Sequence, residues 1–501
     1  MILLTTSLFG LQFVWGTEQV YFMNYMVSIG LSKTWISLIW LAGPLSGLIV
    51  QPIVGAYSDS CQSSYGRRRP FLVLGCIITV ICLFTVGWAH DISHALLPAA
   101  LAQATTIMAV VASVFLLDFA VNTVQAVGRA IIVDSLPQDQ QESGNAWASR
   151  LVAIGHLLAY FMGFLDLRGP LAFLGDTQFK IVIVLSNLAL LCSVMITCRS
   201  VEERVLIDRG TEKEQSLATV LKSIWQTFKS LPKRIRCICL VQVLVWHGWF
   251  PFLFYSSTWI GEVYAREHSN EMIDADTRSR QGALAMTIFS CVTLTCTLLV
   301  PKYLAKDPKR SDESRHRLSL PHIWALSHFL FGLAMISAAF ITSSVLAIMN
   351  IATCGFAWAV MSWVPFTLIG EEISKSATKS RRNSNIIVRT GASQVLLTTP
   401  DYYDDELEVE GLDENNYAAL QRSLPASNDD AGSILGIHNI AICVPQFIIS
   451  FISSIVFRLL EPKPVTDGNV SVQDGPNAIG VVLAIGGVFA IAGGVLTLRK
   501  L

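Results

Sequence analysis

An all-α membrane protein of two six-helix bundles is what this chain predicts. Long apolar stretches, few charges and a lopsided placement of those charges all point that way. Of 501 residues, 52% are hydrophobic and 15% charged, against about 25% charged in soluble domains. A helix needs about 20 apolar residues to cross hydrocarbon, where each backbone polar group must be satisfied within the element. Twelve such spans run at about 5–28, 35–57, 71–89, 104–127, 145–166, 179–198, 237–256, 282–301, 322–341, 345–368, 432–457 and 477–498. The first continues through Trp15, Glu18 and Tyr25 and reads as a full span, not a cleaved signal. Its abrupt start leaves room for a cytosolic tail ahead of it.

The spans divide six and six. Residues 1–198 form the first bundle, 199–236 a charged cytosolic linker with nine basic residues, and 237–501 the second bundle. Paired bundles with a site at their interface are a transporter architecture, and here the pairing rests on hydropathy, with no residue-by-residue repeat. The segment at about 371–431 opens on a basic cluster (Lys375, Lys379, Arg381, Arg382, Arg389). It continues into an acidic run from Asp401 to Glu414 and is poor in large apolar residues, so it is expected to be disordered.

Orientation follows from Lys and Arg. With both termini inside, the cytosolic segments hold 26 of the 36 basic residues and the outer loops hold seven: Lys33, Arg168, Arg266, Arg278, Arg280, Arg458 and Lys463. The sequon at Asn469, a glycosylation candidate, then falls in an outer loop. None of the 11 cysteines does, so disulfides are not expected. A net charge of −1 offers nothing to a nucleic acid. Metal-ligand spacing, nucleophile elbow and phosphate-binding loop are all lacking, so neither an enzyme nor a cofactor is expected.

The fourth span carries the most informative residue. Asp118, Asn122, Gln125 and Arg129 fall within roughly 60° of one another on a helix, in an otherwise apolar stretch. A carboxylate in the bilayer costs at least about 2.5 kcal/mol and marks a substrate, ion or proton path. Asp118 and Glu18 are the proton-coupling candidates. Groups that can hydrogen-bond a sugar or stack on its C–H face are Gln12, Trp15 and Tyr25 in span 1, and Gln242, Trp246 and Trp249 in span 7. Span 10 adds Trp358 and Ser362, just before a helix-breaking Pro365. His156, His247, His328 and His438 read as packed, hydrogen-bonded residues. Arg129 lies about 16 Å along the axis from Asp118, beyond direct contact, and reads as a group of the cytosolic end.

The loop after span 2 reads Gly55-Ala56-Tyr57-Ser58-Asp59, then Gly66-Arg67-Arg68-Arg69-Pro70. It resembles the signature of the major facilitator superfamily. The resemblance implies an inner gate built from Gly55, Asp59, Gly66, Arg67, Arg68 and Arg69, with Gly55 allowing close helix approach. The longer stretch GPLSGLIVQPIVGAYSDSCQSSYGRRRPF is similar to the sucrose-transporter branch of the glycoside–pentoside–hexuronide cation symporters. So are LLDFAVNTVQAVGRAIIVD in span 4, SGNAWASRLVAIGHLLAYFMG in span 5 and GSILGIHNIAICVPQFIIS in span 11. Plant members carry acids before the Trp that ends span 7 and an Arg-Glu pair after it. Here the region reads Tyr255-Ser256-Ser257-Thr258-Trp259-Ile260-Gly261-Glu262, and Glu18 stands where plants have Gln.

The overall resemblance is to fungal members. It implies a proton-coupled importer of sucrose, maltose or a related α-glucoside working by alternating access, with Arg129 needed for transport. The expected partners are a small sugar, protons and the lipid bilayer, and the sequence leaves the oligomeric state open. The expected site is the plasma membrane, a vacuolar or other organelle membrane being the alternative. An organellar proton-linked sugar carrier or a transporter-like sugar sensor are the other readings, and a titratable group in span 4 favours coupled transport over sensing.

Overall fold

The computed structural model describes residues 1–59, 61, 63–137, 140–201, 203, 231–269, 273–304, 319–383, 387–390, 393–396, 429–460 and 476–501. Twelve helical crossings account for nearly all of its regular structure. Ten of them are long and apolar enough to cross a membrane on length and composition alone. Span 5 (Gln141–Phe164), interrupted by Arg150 and His156, and span 1 make up the twelve.

Span 1 runs as Ile2–Thr17, a π turn at Glu18–Phe22, and Met23–Ser28. Span 2 breaks at Trp40 and Leu41, between Lys33–Ile39 and Ala42–Asp59. Spans 3, 4 and 6 are Arg69–Leu96, Ala99–Ser135 and Gln178–Ser200. In the second half, spans 7 to 9 are Lys233–Glu267, Ala275–Leu304 and Leu320–Ser337. Span 10 divides at Ser362 and Trp363 into Ser344–Met361 and Val364–Asn383, just ahead of Pro365. Spans 11 and 12 are Asp429–Leu460 and Ala478–Lys500.

Local chemistry sets several helix starts. Pro70 occupies the first turn of span 3, where a missing N–H costs nothing. The Thr177 side chain accepts from the Lys180 N–H to cap span 6, and Asn477 caps span 12 through the Gly480 N–H at 2.9 Å.

Small residues then bring the helices together. A Cβ on Gly248 of span 7 would lie 2.7 Å from the Gly486 carbonyl of span 12. One on Gly332 of span 9 would lie 2.8 Å from the Gly487 carbonyl. Without a hydrophobic drive between helices in lipid, such close packing is a main source of association.

The segment after span 10 differs from the sequence expectation. The helix continues to Asn383, and two short antiparallel strands follow, Ile387–Thr390 and Ser393–Leu396. In sequence, Lys379, Arg381 and Arg382 fall in the last turns of this helix, where positive charge suits the negative end of the helix dipole. The acidic run 401–414, most of the linker at 199–236 and the sequon at Asn469 lie outside the described residues.

Candidate functional site: a buried carboxylate pair between two unlike faces

Both termini and the arginine loop lie at one end of the bundle, here the terminal face; the loops after spans 1, 3 and 5 mark the opposite face. Glu18 and Asp118 sit between them, each 2% exposed, and the two carboxylates interact electrostatically. Neither Glu18 oxygen, nor Asp118 Oδ2, has a hydrogen-bond partner among the described residues. Glu18 begins the π turn, a distortion that recurs at functional sites because it redirects side chains. Beside it, Gln19 accepts a hydrogen bond from the Tyr160 hydroxyl, and the Tyr160 ring stacks under His156.

Asn122 lies one turn from Asp118 and donates to the Asp118 carbonyl at 3.0 Å and to Ser46 Oγ at 2.7 Å. Gln125 is half-buried and Arg129 exposed on the same helix. Across the interface, the Gln242 amide pairs with His438 Nε2 at 2.9 Å, leaving the Gln242 oxygen buried without a partner among the described residues. Trp246 is half-buried and packs edge-on to Trp358, with ring centroids 6.1 Å apart. Trp15 is half-buried too.

Some expected sugar contacts sit elsewhere. Trp249 is 1% exposed and stacks on Phe331 at 3.8 Å, so it belongs to an aromatic core between spans 7, 9 and 10. Gln12 is buried where span 1 crosses span 5 at Gly155. Tyr25 leans on Phe179 toward the opposite face, its hydroxyl buried. Ser362 is exposed at the break in span 10 and bonds the Ala359 carbonyl.

On the terminal face the arginines form a latch. Arg67 reaches Asp134 at 2.8 Å, as does Arg68 Nε. The Arg68 and Arg69 backbone N–H groups donate to Glu203 at 2.7 and 3.1 Å. Gly66 makes this turn with φ of 104°, and a Cβ there would lie 2.6 Å from Glu203 Oε2. Asp134 belongs to the same half as the arginines, and Glu203 opens the linker that follows that half. Asp134 ends the quoted span 4 stretch, and an acid after an apolar run was the available signal. Asp59 ends its helix, and its side chain lies outside the described residues.

The expectation that Gly55 allows close helix approach is not met. Among the described residues nothing lies within 4 Å of a Cβ placed at Gly55, Gly370 or Gly436, at the terminal-face ends of spans 2, 10 and 11. Among the described residues these helix ends make no close contact at those positions.

The opposite face is closed, and there the contacts cross between halves. Lys33 pairs with Glu262 at 2.5 Å, Arg168 with Asp274 at 3.0 Å, and Arg280 with Asp166 at 3.1 Å. Deeper in, Trp40 stacks on Phe254 at 4.5 Å and its carbonyl accepts from Gln446. The Asp166 carboxyl lies below the usual carboxylate range, chiefly through the hydrogen bond from Arg168, with Arg280 adding to it.

The family model for the Major Facilitator Superfamily matches residues 2–395. A general alpha-glucoside permease of Schizosaccharomyces pombe is 31% identical over 98% of this chain and 91% of its own length. A sucrose transport protein of Arabidopsis thaliana is 29% identical over 67% of each chain. The xylose transporter XylE of E. coli, in an inward-open conformation, superposes with a TM-score of 0.56 at 14% identity. That match covers 100% of this chain and 96% of the other, and it speaks for the fold alone.

Proposed function

Because the chain belongs to the major facilitator superfamily, in its glycoside–pentoside–hexuronide cation symporter branch, we propose that it imports an α-glucoside such as sucrose or maltose together with protons. The observation that carries the coupling is the Glu18–Asp118 pair, two buried carboxylates short of donors. Leaving such a group charged in apolar surroundings costs several kcal/mol. The pair therefore holds a proton while closed off and releases it when water arrives from the open side. Its similarity to an alpha-glucoside permease and to a sucrose transport protein supports the sugar class. Asn122, the Gln242–His438 pair, Trp246 and Trp358 supply hydroxyl partners and flat apolar faces from both halves.

Transport follows by rocking one half on the other. In the state seen here the opposite face is shut by contacts that cross between halves, and we read this as the state in which the site is reached from the terminal face. We assign the terminal face to the cytosol, from the basic residues, and the protein to the plasma membrane. Single cysteines at Asn469 and Asp405, labelled on intact cells with an impermeant thiol reagent, test this: position 469 labels and position 405 does not. The arginine latch with Asp134 and Glu203 braces the terminal-face end of the first half as it rocks and makes no contact with the sugar.

Uptake of labelled sucrose and maltose by transport-deficient yeast, with and without a protonophore, tests the function. One charge moving through 100 mV is worth about 2.3 kcal/mol, nearly fifty-fold accumulation. Asp118→Asn loses that accumulation while protein remains in the membrane. Protonophore-sensitive accumulation by the variant would place coupling elsewhere.

A further inference from the structure

On the lipid-facing side of the first half, spans 3 and 6 diverge near the terminal face and leave a groove of about 570 Å³. This is within the size range of ligand sites. Its walls are apolar, with Val73, Ile77, Val194 and Met195 among them, and its mouth carries Arg69, Arg199 and Tyr65.

Arg199 is exposed at the end of span 6 and has no carboxylate partner among the described residues. Arg69 stands 3.9 Å from Glu203, and its Nε is buried without a hydrogen bond among the described residues. Among the described residues Glu203 is the one acid beside Arg69 and Arg199, and the backbone N–H groups of Arg68 and Arg69 already occupy its oxygens. The mouth therefore holds two guanidiniums with donors to spare against one satisfied carboxylate. Tyr65, 77% exposed, places an amphipathic ring at the same level.

We propose that this groove binds an anionic phospholipid of the cytosolic leaflet. Guanidinium forks match phosphate oxygens, and basic pockets between spans at the cytosolic level suit anionic headgroups. The headgroup phosphate sits on Arg199 and Arg69, and one acyl chain lies along Val73, Ile77, Val194 and Met195. A lipid there also shares Arg69 with Glu203, so its binding acts on the latch. The proposal rests on the cytosolic assignment of the terminal face only for which leaflet supplies the lipid. Binding to purified protein is independent of that assignment, which the thiol labelling reads separately.

Native mass spectrometry of the purified full chain decides it, with phosphatidylserine and phosphatidylcholine of identical acyl chains as probes. The chain should retain one phosphatidylserine in preference to phosphatidylcholine by at least about fivefold, the order expected of one arginine facing one anionic headgroup. Arg199→Gln should abolish that preference. Val73→Trp, which fills the groove from a lipid-facing position, should remove the retained lipid altogether. Equal retention of both lipids, or a phosphatidylserine adduct unchanged in both variants, would overturn the site and leave annular lipid only.

Discussion

On the terminal face, Arg67 and Arg68 reach Asp134 without leaving the first half, whereas on the opposite face Lys33, Arg168 and Arg280 each pair across the two halves. The same chemistry therefore does two jobs. Ion pairs within a half travel with it as a rigid body and survive rocking. Pairs between halves must break each time the opposite face opens, and so they set the balance between the two states. Among the described residues Gly163 on the closed face is packed against Ala283 of the other half, whereas Gly55, Gly370 and Gly436 on the terminal face, like Gly169 in the exposed loop after span 5, meet nothing.

Wedging the closed face gives the largest effect. A Cβ at Gly163 would already lie 3.2 Å from the Ala283 Cβ and 3.4 Å from the Tyr21 ring. Gly163→Leu should therefore disfavour closure and cut uptake at least about fivefold, as overpacking by about 1–3 kcal/mol implies. A single cysteine at Val27, half-buried in the small pocket between the halves, should label faster in that background. Unchanged labelling would mean this face does not close by direct packing.

Next comes Lys33→Met. Its partner Glu262 has a side chain only 5% exposed and would keep, among the described residues, Arg266 at 3.4 Å. Losing a buried partner costs more than losing a surface one, so Val27 labelling should rise several-fold. Arg168→Ala should move it less, because that pair is 37% and 50% exposed and worth about 0–1 kcal/mol. Equal effects would refute the ranking by burial.

Asp134→Asn tests the other face. It should leave Val27 labelling unchanged, because the pair stays within one half, yet lower the melting temperature by a few degrees. A change in labelling would show that the latch reaches across halves after all.

The smallest effect is an expected constancy. The Asp166 carboxyl is held low by Arg168, then Arg280. A depressed carboxyl keeps its pairing above the ordinary carboxylate range and loses it only as pH falls through the depressed value. Between pH 7.5 and 5 this pair stays charged, so it should contribute no change in Val27 labelling. Abolition of a pH response by Asp166→Asn would contradict this.

Asp118, Glu18, Asn122 and the arginine loop were legible because each breaks a strong local pattern, a charge in an apolar run or an arginine triplet after glycine. Asp134 and Glu203 were harder to read, since an acid at a span end also serves as a solvated terminus. Trp249 misled for the opposite reason. Its spacing with Trp246 fits a shared face, but Phe331 and Trp358 take up its surface from other spans.

By itself, the sequence determined the number of crossings, their division into halves and the helix that carries the buried acid. Apolar length and isolated polar residues act locally, and a bilayer makes both costly to violate. Only the tertiary structure decided which face is closed and which ion pairs cross between halves. It also brought Glu18 together with Asp118. Those outcomes depend on contacts such as Lys33 with Glu262 and Asp166 with Arg280, between residues more than a hundred positions apart. Local periodicity holds no record of such partners.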